Sequence, residues 1–439
     1  MTSVTPSITA APSSPEAPTI RKTAWRAVLM LSLVVMAAGV VRLAFSPLQE
    51  AAKAELNLSD YQISLIQGIA AALPVALVAI PLGWLTDHSK RTRLMMILGI
   101  IWTVGMVGTA FAQSFEQIFL ARMLAGLGAM SIVPVAISVL SDLSVPESRG
   151  RAMLFVSMGN TFGPALAFVG GGALVTAFAA GLDLPGLALT PWRETALVIG
   201  LASAVLLIPQ MLVREPVRHE VENAGASLKA MARALWARRR FLLPLFVGQI
   251  SVIMADAAAG VWAVPVLQRD LGQSVGQAAA LLGGLLLLAG ILGPVIGGFV
   301  ADRGHKSSVR GGILIGAIVA SAIGVPAALF PLVTGVPAFA VVLFLLLMAG
   351  SMTGLITATA IAVLVPNEER GICLGAFMIL GALIGLGLSP MLVSLGSQAL
   401  GGEAHLAPAL AIVGVVTGLV SLAGFVLAMI NAPDRPVPA

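Results

Sequence analysis

Three ionisable side chains fall inside long apolar runs of this 439-residue chain: Arg42, Arg122 and Asp256. A charge in hydrocarbon costs several kcal/mol unless it is paired or hydrated, so such residues mark places where charge is used. Arg42 lies near the end of the first run and Arg122 near the start of the fourth. At 1.5 Å per residue, both sit about 8 Å below the same membrane face. Two guanidinium forks at matched depth can converge on one carboxylate or phosphate. The expectation is therefore an anion-binding pair. The alternative is that either arginine snorkels to the interface or simply ties helices together.

Asp256 lies roughly 21 Å into the seventh run. It is set among Ala255, Ala257, Ala258, Ala259 and Gly260, small residues that let helices approach closely. It is the chain's candidate proton or cation site; the competing role is a structural salt bridge to Arg42 or Arg122. Gln249, seven residues earlier, shares its helix face. Asn160 carries an amide that is costly to leave unpaired within a span. Gln249 and Asn160 therefore join the two arginines as expected substrate contacts. Gln67, Ser131, Ser138, Thr353 and Thr357 are further polar groups inside apolar runs. Hydrogen bonding between helices is their usual use.

A second kind of charged feature occurs twice, at Gly83–Arg93 and Gly298–Arg310. Each places a Gly, a carboxylate and a basic cluster between two apolar runs, and each reads as a short break. Asp87 and Asp302 can there cap a neighbouring helix start and pair with nearby cations. Arg91, Arg93, Arg303 and Asp142 are the local partners. The alternative is a solvated loop that only fixes topology.

The elements that must position these residues are membrane helices. The chain is 58% hydrophobic and 10% charged, against about 25% charged for a soluble domain. Its charges separate apolar runs of roughly 20 residues, long enough to cross a bilayer. Twelve such spans are expected, at 26–47, 61–83, 93–113, 117–140, 152–180, 194–213, 242–266, 275–300, 311–331, 337–365, 371–398 and 405–430. The long fifth and tenth runs are expected to include interfacial turns. One tyrosine and little alternating hydrophobicity argue against a β-barrel.

The polar connection 214–241 divides the chain into six spans and six. Residues 1–25 and 431–439 read as tails, and Ser227–Trp236 as a stretch able to form a surface helix. Of 25 Lys and Arg, twenty fall on the side of the tails, two lie inside spans, and only Lys53, Arg193 and Arg269 fall on the other side. That asymmetry predicts cytoplasmic termini. It also accounts for the net charge of +5 without nucleic acid. A single cysteine, Cys373, excludes an internal disulfide and a thiolate cluster. No Gly-x-x-x-x-Gly-Lys-Ser/Thr loop is present, so ATP does not drive the protein, and no catalytic triad or metal site is evident.

Twelve spans, a central polar connection and a doubled Gly-x-x-x-Asp hinge resemble the major facilitator superfamily. The first hinge has His88 where that family usually has arginine, whereas the second keeps Asp302-Arg303. A narrower resemblance is to the spinster-like branch, through Leu56-Asn57-Leu58-Ser59-Asp60, Leu120-Ala121-Arg122 with Gly126-Leu127-Gly128, Ser141-Asp142-Leu143, and Gly385-Leu386-Gly387-Leu388-Ser389-Pro390. Sialin-type organic-anion symporters share some of these features. The resemblance implies an all-α membrane protein of two pseudo-symmetric six-helix halves. It also implies that Gly83, Asp87, Arg91, Asp142, Asp302 and Arg303 form a latch holding the halves together in the outward-open state. Val41 and Ala129 stand where the spinster-like pattern commonly has acids, so its proton-coupling mechanism is not carried over.

The resulting expectation is an alternating-access secondary transporter in the inner membrane, monomeric, without a bound cofactor, with proton or cation coupling assigned to Asp256. Its expected cargo is a small organic or lipid-like anion. A cation-coupled multidrug exporter is the alternative, and a transporter-like sensor that moves nothing is the second.

Overall fold

A computed structural model describes residues 23–218, 233, 236–307 and 309–433. Among them, twelve helical segments are long and apolar enough to cross a membrane. They are α1 (Trp25–Leu56), α2 (Asp60–His88), α3 (Arg91–Phe111), α4 (Phe115–Leu143), α5 (Glu147–Ala179), α6 (Pro191–Leu212), α7 (Arg239–Arg269), α8 (Val275–Lys306), α9 (Gly312–Leu332), α10 (Val336–Leu364), α11 (Glu369–Ala399) and α12 (Glu403–Ile430). Helices satisfy their own backbone groups, which lipid cannot do. Helices α1–α6 make one half and α7–α12 the other. Both described ends lie on one side, the tail side; the opposite face is the far side.

Local sequence sets the helix starts. In the Leu58-Ser59-Asp60 motif, Ser59 accepts from the Gln62 N–H, and the Gln62 side chain accepts from the Ser59 N–H. That reciprocal cap satisfies two otherwise orphaned donors. Ser274 and Gln277 repeat it at α8.

Two expectations need correction. The stretches Gly83–Arg93 and Gly298–Arg310 are not breaks throughout. α2 continues to His88, leaving only Ser89 and Lys90 before α3, and α8 continues to Lys306. Asp87 and Asp302 thus ride on the last turns of α2 and α8. The Thr86 and Ser89 hydroxyls donate to the carbonyls of Leu82 and Leu85, so polarity here decorates a helix end and does not interrupt it. Nor do the long fifth and tenth runs contain turns: Pro146–Ala179 and Val336–Leu364 are continuous helices. Most of Ser227–Trp236 and of the two tails lies outside the described residues.

Two helices are irregular where the halves meet. α2 bends at Gly68 (φ −99°, ψ −83°). α11 passes through a π-helical stretch, Gly381–Leu388, just before Ser389-Pro390. A Cβ on Gly68 would lie 2.4 Å from the Gly387 carbonyl oxygen, so backbones of opposite halves touch there. The second cross-half seam is α5 against α8, where Gly172 meets Ala279 and Gly290 meets Thr161.

Candidate functional site

The two span arginines meet, but they are not equivalent. Arg122 is 1% exposed. Its Nη1 donates to the Val41 carbonyl (3.4 Å) and its Nη2 to the Arg42 carbonyl (3.1 Å). The guanidinium also lies 5.6 Å from the Phe45 ring centroid. It therefore braces the point within α1 where the regular helix Trp25–Leu43 ends, whose last carbonyls lack partners within the helix. The expectation of two forks opening into a common space is corrected accordingly. Arg42 is the half-buried member. Among the described residues nothing hydrogen-bonds its guanidinium, and its Nε is enclosed without a partner. A guanidinium without a protein partner in a span has the fork geometry to take a carboxylate or phosphate. Val41 and Ala129 are buried in the apolar core.

Asp256 has no salt bridge among the described residues. Its Oδ1 is enclosed and unbonded. Its carboxylate fits into a slot on α10 that exists because residue 350 is glycine: a Cβ there would lie 2.0 Å from Oδ2. One helical stretch away, Gln249 is buried and accepts from the Thr357 hydroxyl at 2.9 Å. Thr353 donates to the Gly350 carbonyl (2.9 Å). The residues Gln249, Asp256, Thr353 and Thr357 thus form one polar strip along the α7–α10 contact. Asn160 is exposed and separate from that strip. Gln67 is occupied, donating to Ser46 (3.1 Å) and Gln49 (2.8 Å).

The halves are locked at the far side by a network that sequence reasoning missed. Arg269, at the end of α7, grips Glu50 through Nε (2.9 Å) and Nη2 (2.8 Å). It grips Asp60 through Nη1 (2.7 Å) and Nη2 (2.8 Å). Lys53 reaches Asp60 at 2.6 Å and also Glu403, and Glu403 accepts from the Asp60 N–H at 2.7 Å. Gln49 donates to the Val261 carbonyl (2.6 Å) and Ser394 to Ser64 (3.1 Å). The available signal was the charge census: each of the three far-side cations is paired, including Arg193 with Glu55 at 2.7 Å.

At the tail side, by contrast, no hydrogen bond or ion pair among the described residues joins the halves. Asp87, Asp302 and Arg303 are exposed there and have no partner among the described residues. Among the described residues, the charged contacts between the halves are thus gathered at the far side, and a one-sided seal of that kind is what a rocking transporter alternates.

A family model for the Major Facilitator Superfamily matches residues 29–390. The chain belongs to this superfamily. It is a multi-pass membrane protein and a secondary transporter, not an enzyme. An MFS-type efflux pump of Mycolicibacterium smegmatis is 26% identical over 392 residues, covering 86% of this chain and 87% of that protein. The probable sulfoacetate transporter SauU of Cupriavidus necator is 27% identical, covering 59% and 62%. Human protein spinster homolog 1 is 26% identical, covering 59% of this chain and about half (51%) of the human protein. A bacterial homolog to the human lysosomal transporter Spinster, solved inward-facing and unoccupied, superposes with a TM-score of 0.73 at 22% identity, covering 93% and 96%. The spinster-like likeness expected from the motifs is thus found in both sequence and fold.

In this facilitator the helix cap expected of Asp87 is supplied from elsewhere. Glu215, just after α6, accepts from the Thr92 N–H and hydroxyl, both at 2.8 Å, and from Arg91 Nε at 3.0 Å. Burial pushes its carboxyl up, but the Thr92 N–H and the Arg91 and Thr92 side chains outweigh that and hold it below the usual glutamate value. Arg91 also donates to Asp142 at 2.5 Å, so these two members of the expected latch pair within one half. Arg218 donates to the carbonyls of Thr86 (2.9 Å) and Ser89 (2.7 Å). The segment after α6 therefore straps the α2–α3 junction. A carboxylate 123 residues away from the Thr92 N–H it caps leaves no local signal in the sequence.

Proposed function

We propose that this facilitator moves a small organic or amphiphilic anion across the inner membrane by alternating access, with Arg42 as the anion's main contact. The observation that carries the reading is the unpaired Arg42 guanidinium inside a span, held by the Arg122 brace. Supporting it, one similar protein is named for sulfoacetate, an organic anion. On the opposing half, Asp256, whose Oδ1 is unbonded, is assigned to coupling, and Gln249, bonded to Thr357, to cargo contact. Asn160, exposed on α5, is assigned to the cargo path.

The latch reading fits a tail side without polar cross-half contacts among the described residues. Asp87, Asp302 and Arg303 have no partner among the described residues with the far side sealed, and would engage when the tail side closes. Arg91 and Asp142 would hold the first-half side of that contact, next to Gly83. The excess of Lys and Arg on the tail side supports a cytoplasmic assignment for that side.

The test is uptake and counterflow in proteoliposomes at two pH values, with cargo pairs differing only in an anionic headgroup. A hydrogen bond to a charged group contributes about 1.5–3 kcal/mol, so Arg42→Ala is expected to weaken anion transport by at least about tenfold. Equal transport of neutral analogues, or a folded Arg42→Ala protein that carries anions normally, would overturn the reading. A second reading, a cation-coupled drug exporter, is favoured by the efflux-pump relative that matches most of the chain. It predicts that Asp256→Asn, and not Arg42→Ala, abolishes transport.

A further inference from the structure

A cavity of about 410 Å³ opens on the tail side at the rim of the second half, where α7 begins and α12 ends. Its walls include Arg238, Arg239, Arg240, Phe241 and Asn431. Its volume falls in the range of about 300–1,000 Å³ typical of small-ligand sites. It lies on the opposite side of the protein from the sealed far-side network and away from Arg42.

The three arginines have different tasks. Arg238 is already neutralised, its Nε meeting Glu369 at 2.6 Å. Arg239 lies over the Trp236 ring, 4.8 Å from its centroid, and donates to the Trp236 carbonyl at 3.0 Å. Arg240 is exposed and no partner among the described residues reaches it. Two cationic forks are thus presented to one cavity, and one of them is held in place by an aromatic ring.

This arrangement breaks a local rule. The first turn of α7 contains no acidic residue, and its arginines stand at the positive end of the helix dipole, where cations are disfavoured. Orienting a span requires positive charge on the tail side, but does not require it to line a cavity. An anion in the cavity would offset the repulsion. Trp236 is 66% exposed, as a tryptophan at headgroup depth is. Because α7 enters the membrane here, the anion best matched to the cavity is one already held at that depth.

We infer that this cavity binds the phosphodiester headgroup of an anionic phospholipid in the tail-side leaflet, with Arg239 and Arg240 as its cationic contacts. The inference is independent of the proposed cargo, since it uses none of the residues assigned to transport.

The experiment uses the full-length protein, purified in neutral detergent and titrated with dioctanoyl phosphatidylglycerol, dioctanoyl phosphatidylcholine or inorganic phosphate. Binding is read by native mass spectrometry. An arginine near an anionic surface contributes about 1 kcal/mol, roughly fivefold in affinity. Arg239→Gln with Arg240→Gln is therefore expected to weaken phosphatidylglycerol binding by at least about tenfold. Arg239→Lys with Arg240→Lys should retain most of it, and Arg93→Gln, an exposed tail-side control, all of it. Melting without lipid should be alike for all variants, which separates lost binding from lost folding. Arg42→Ala should leave the binding intact even where it stops transport. Equal affinity for phosphatidylcholine, or unchanged binding in the double Gln variant, overturns the inference. Inorganic phosphate binding as tightly as the lipid also overturns it, because the site would then serve a soluble oxyanion.

Discussion

Substituting Arg269 should open the far side. Glu50 and Asp60 belong to the first half and Arg269 to the second, so their four contacts, at 2.7 to 2.9 Å, exist only while that side is closed. Arg269→Ala removes them all and leaves the two carboxylates beside each other, with only Lys53 to share. Breaking a buried pair from one side costs about 3–5 kcal/mol. The Asp60 carboxylate is 3% exposed, but Arg269 and Glu50 keep about a fifth of their exposure. The lower end, about 3 kcal/mol, is therefore appropriate. At 1.4 kcal/mol per tenfold, the ratio of closed to open falls by about 100-fold.

A buried reporter on the seam reads this directly. The only native cysteine, Cys373, is buried and is first replaced by serine. Ser394, buried and bonded across the halves to Ser64, is then changed to cysteine and labelled with a maleimide. If opening is fast compared with labelling, Arg269→Ala should raise the rate by about the same factor, up to the limit of a fully open seam. Arg269→Lys, which keeps the charge but not the fork, should fall between. A folded Arg269→Ala protein whose labelling rate rises less than threefold would show that the network does not hold the far side shut.

Two further outcomes are expected. Gly350→Ala puts a methyl 2.0 Å from the Asp256 carboxylate, so it should displace that side chain and cost about 1–3 kcal/mol of stability. Combining it with Asp256→Ala should restore the melting temperature without restoring transport, as read by thermal shift and proteoliposome flux. The strap should respond to acid. The Glu215 carboxyl is held below its ordinary value of 4.5, so its contribution is complete above that value and is lost as pH falls through the lower folded value. Limited proteolysis after α6 should therefore be slow at neutral pH and speed up in acid, and Glu215→Gln should make it fast at neutral pH.

Hydropathy and charge placement determined the twelve spans and the two halves, because in lipid a long apolar run has only one way to satisfy its backbone. The same logic placed Arg42, Arg122 and Asp256 within spans and identified Thr357 as facing along its helix with Thr353. It could not say which of two arginines at equal depth would be free. That depended on Phe45 and on the Val41 and Arg42 carbonyls meeting Arg122 where α1 and α4 cross. Nor could it see that Gly350, a residue without a side chain, makes the slot for Asp256. The hinge cap went to Glu215 and not to the neighbouring Asp87 for the same reason: a hydrogen bond is decided by distance in space, and only the packed helices bring residues 92 and 215 together. The Arg269 network likewise joins four separate stretches of chain. Each of its residues looks like an ordinary charge at a helix end until the two halves close around them.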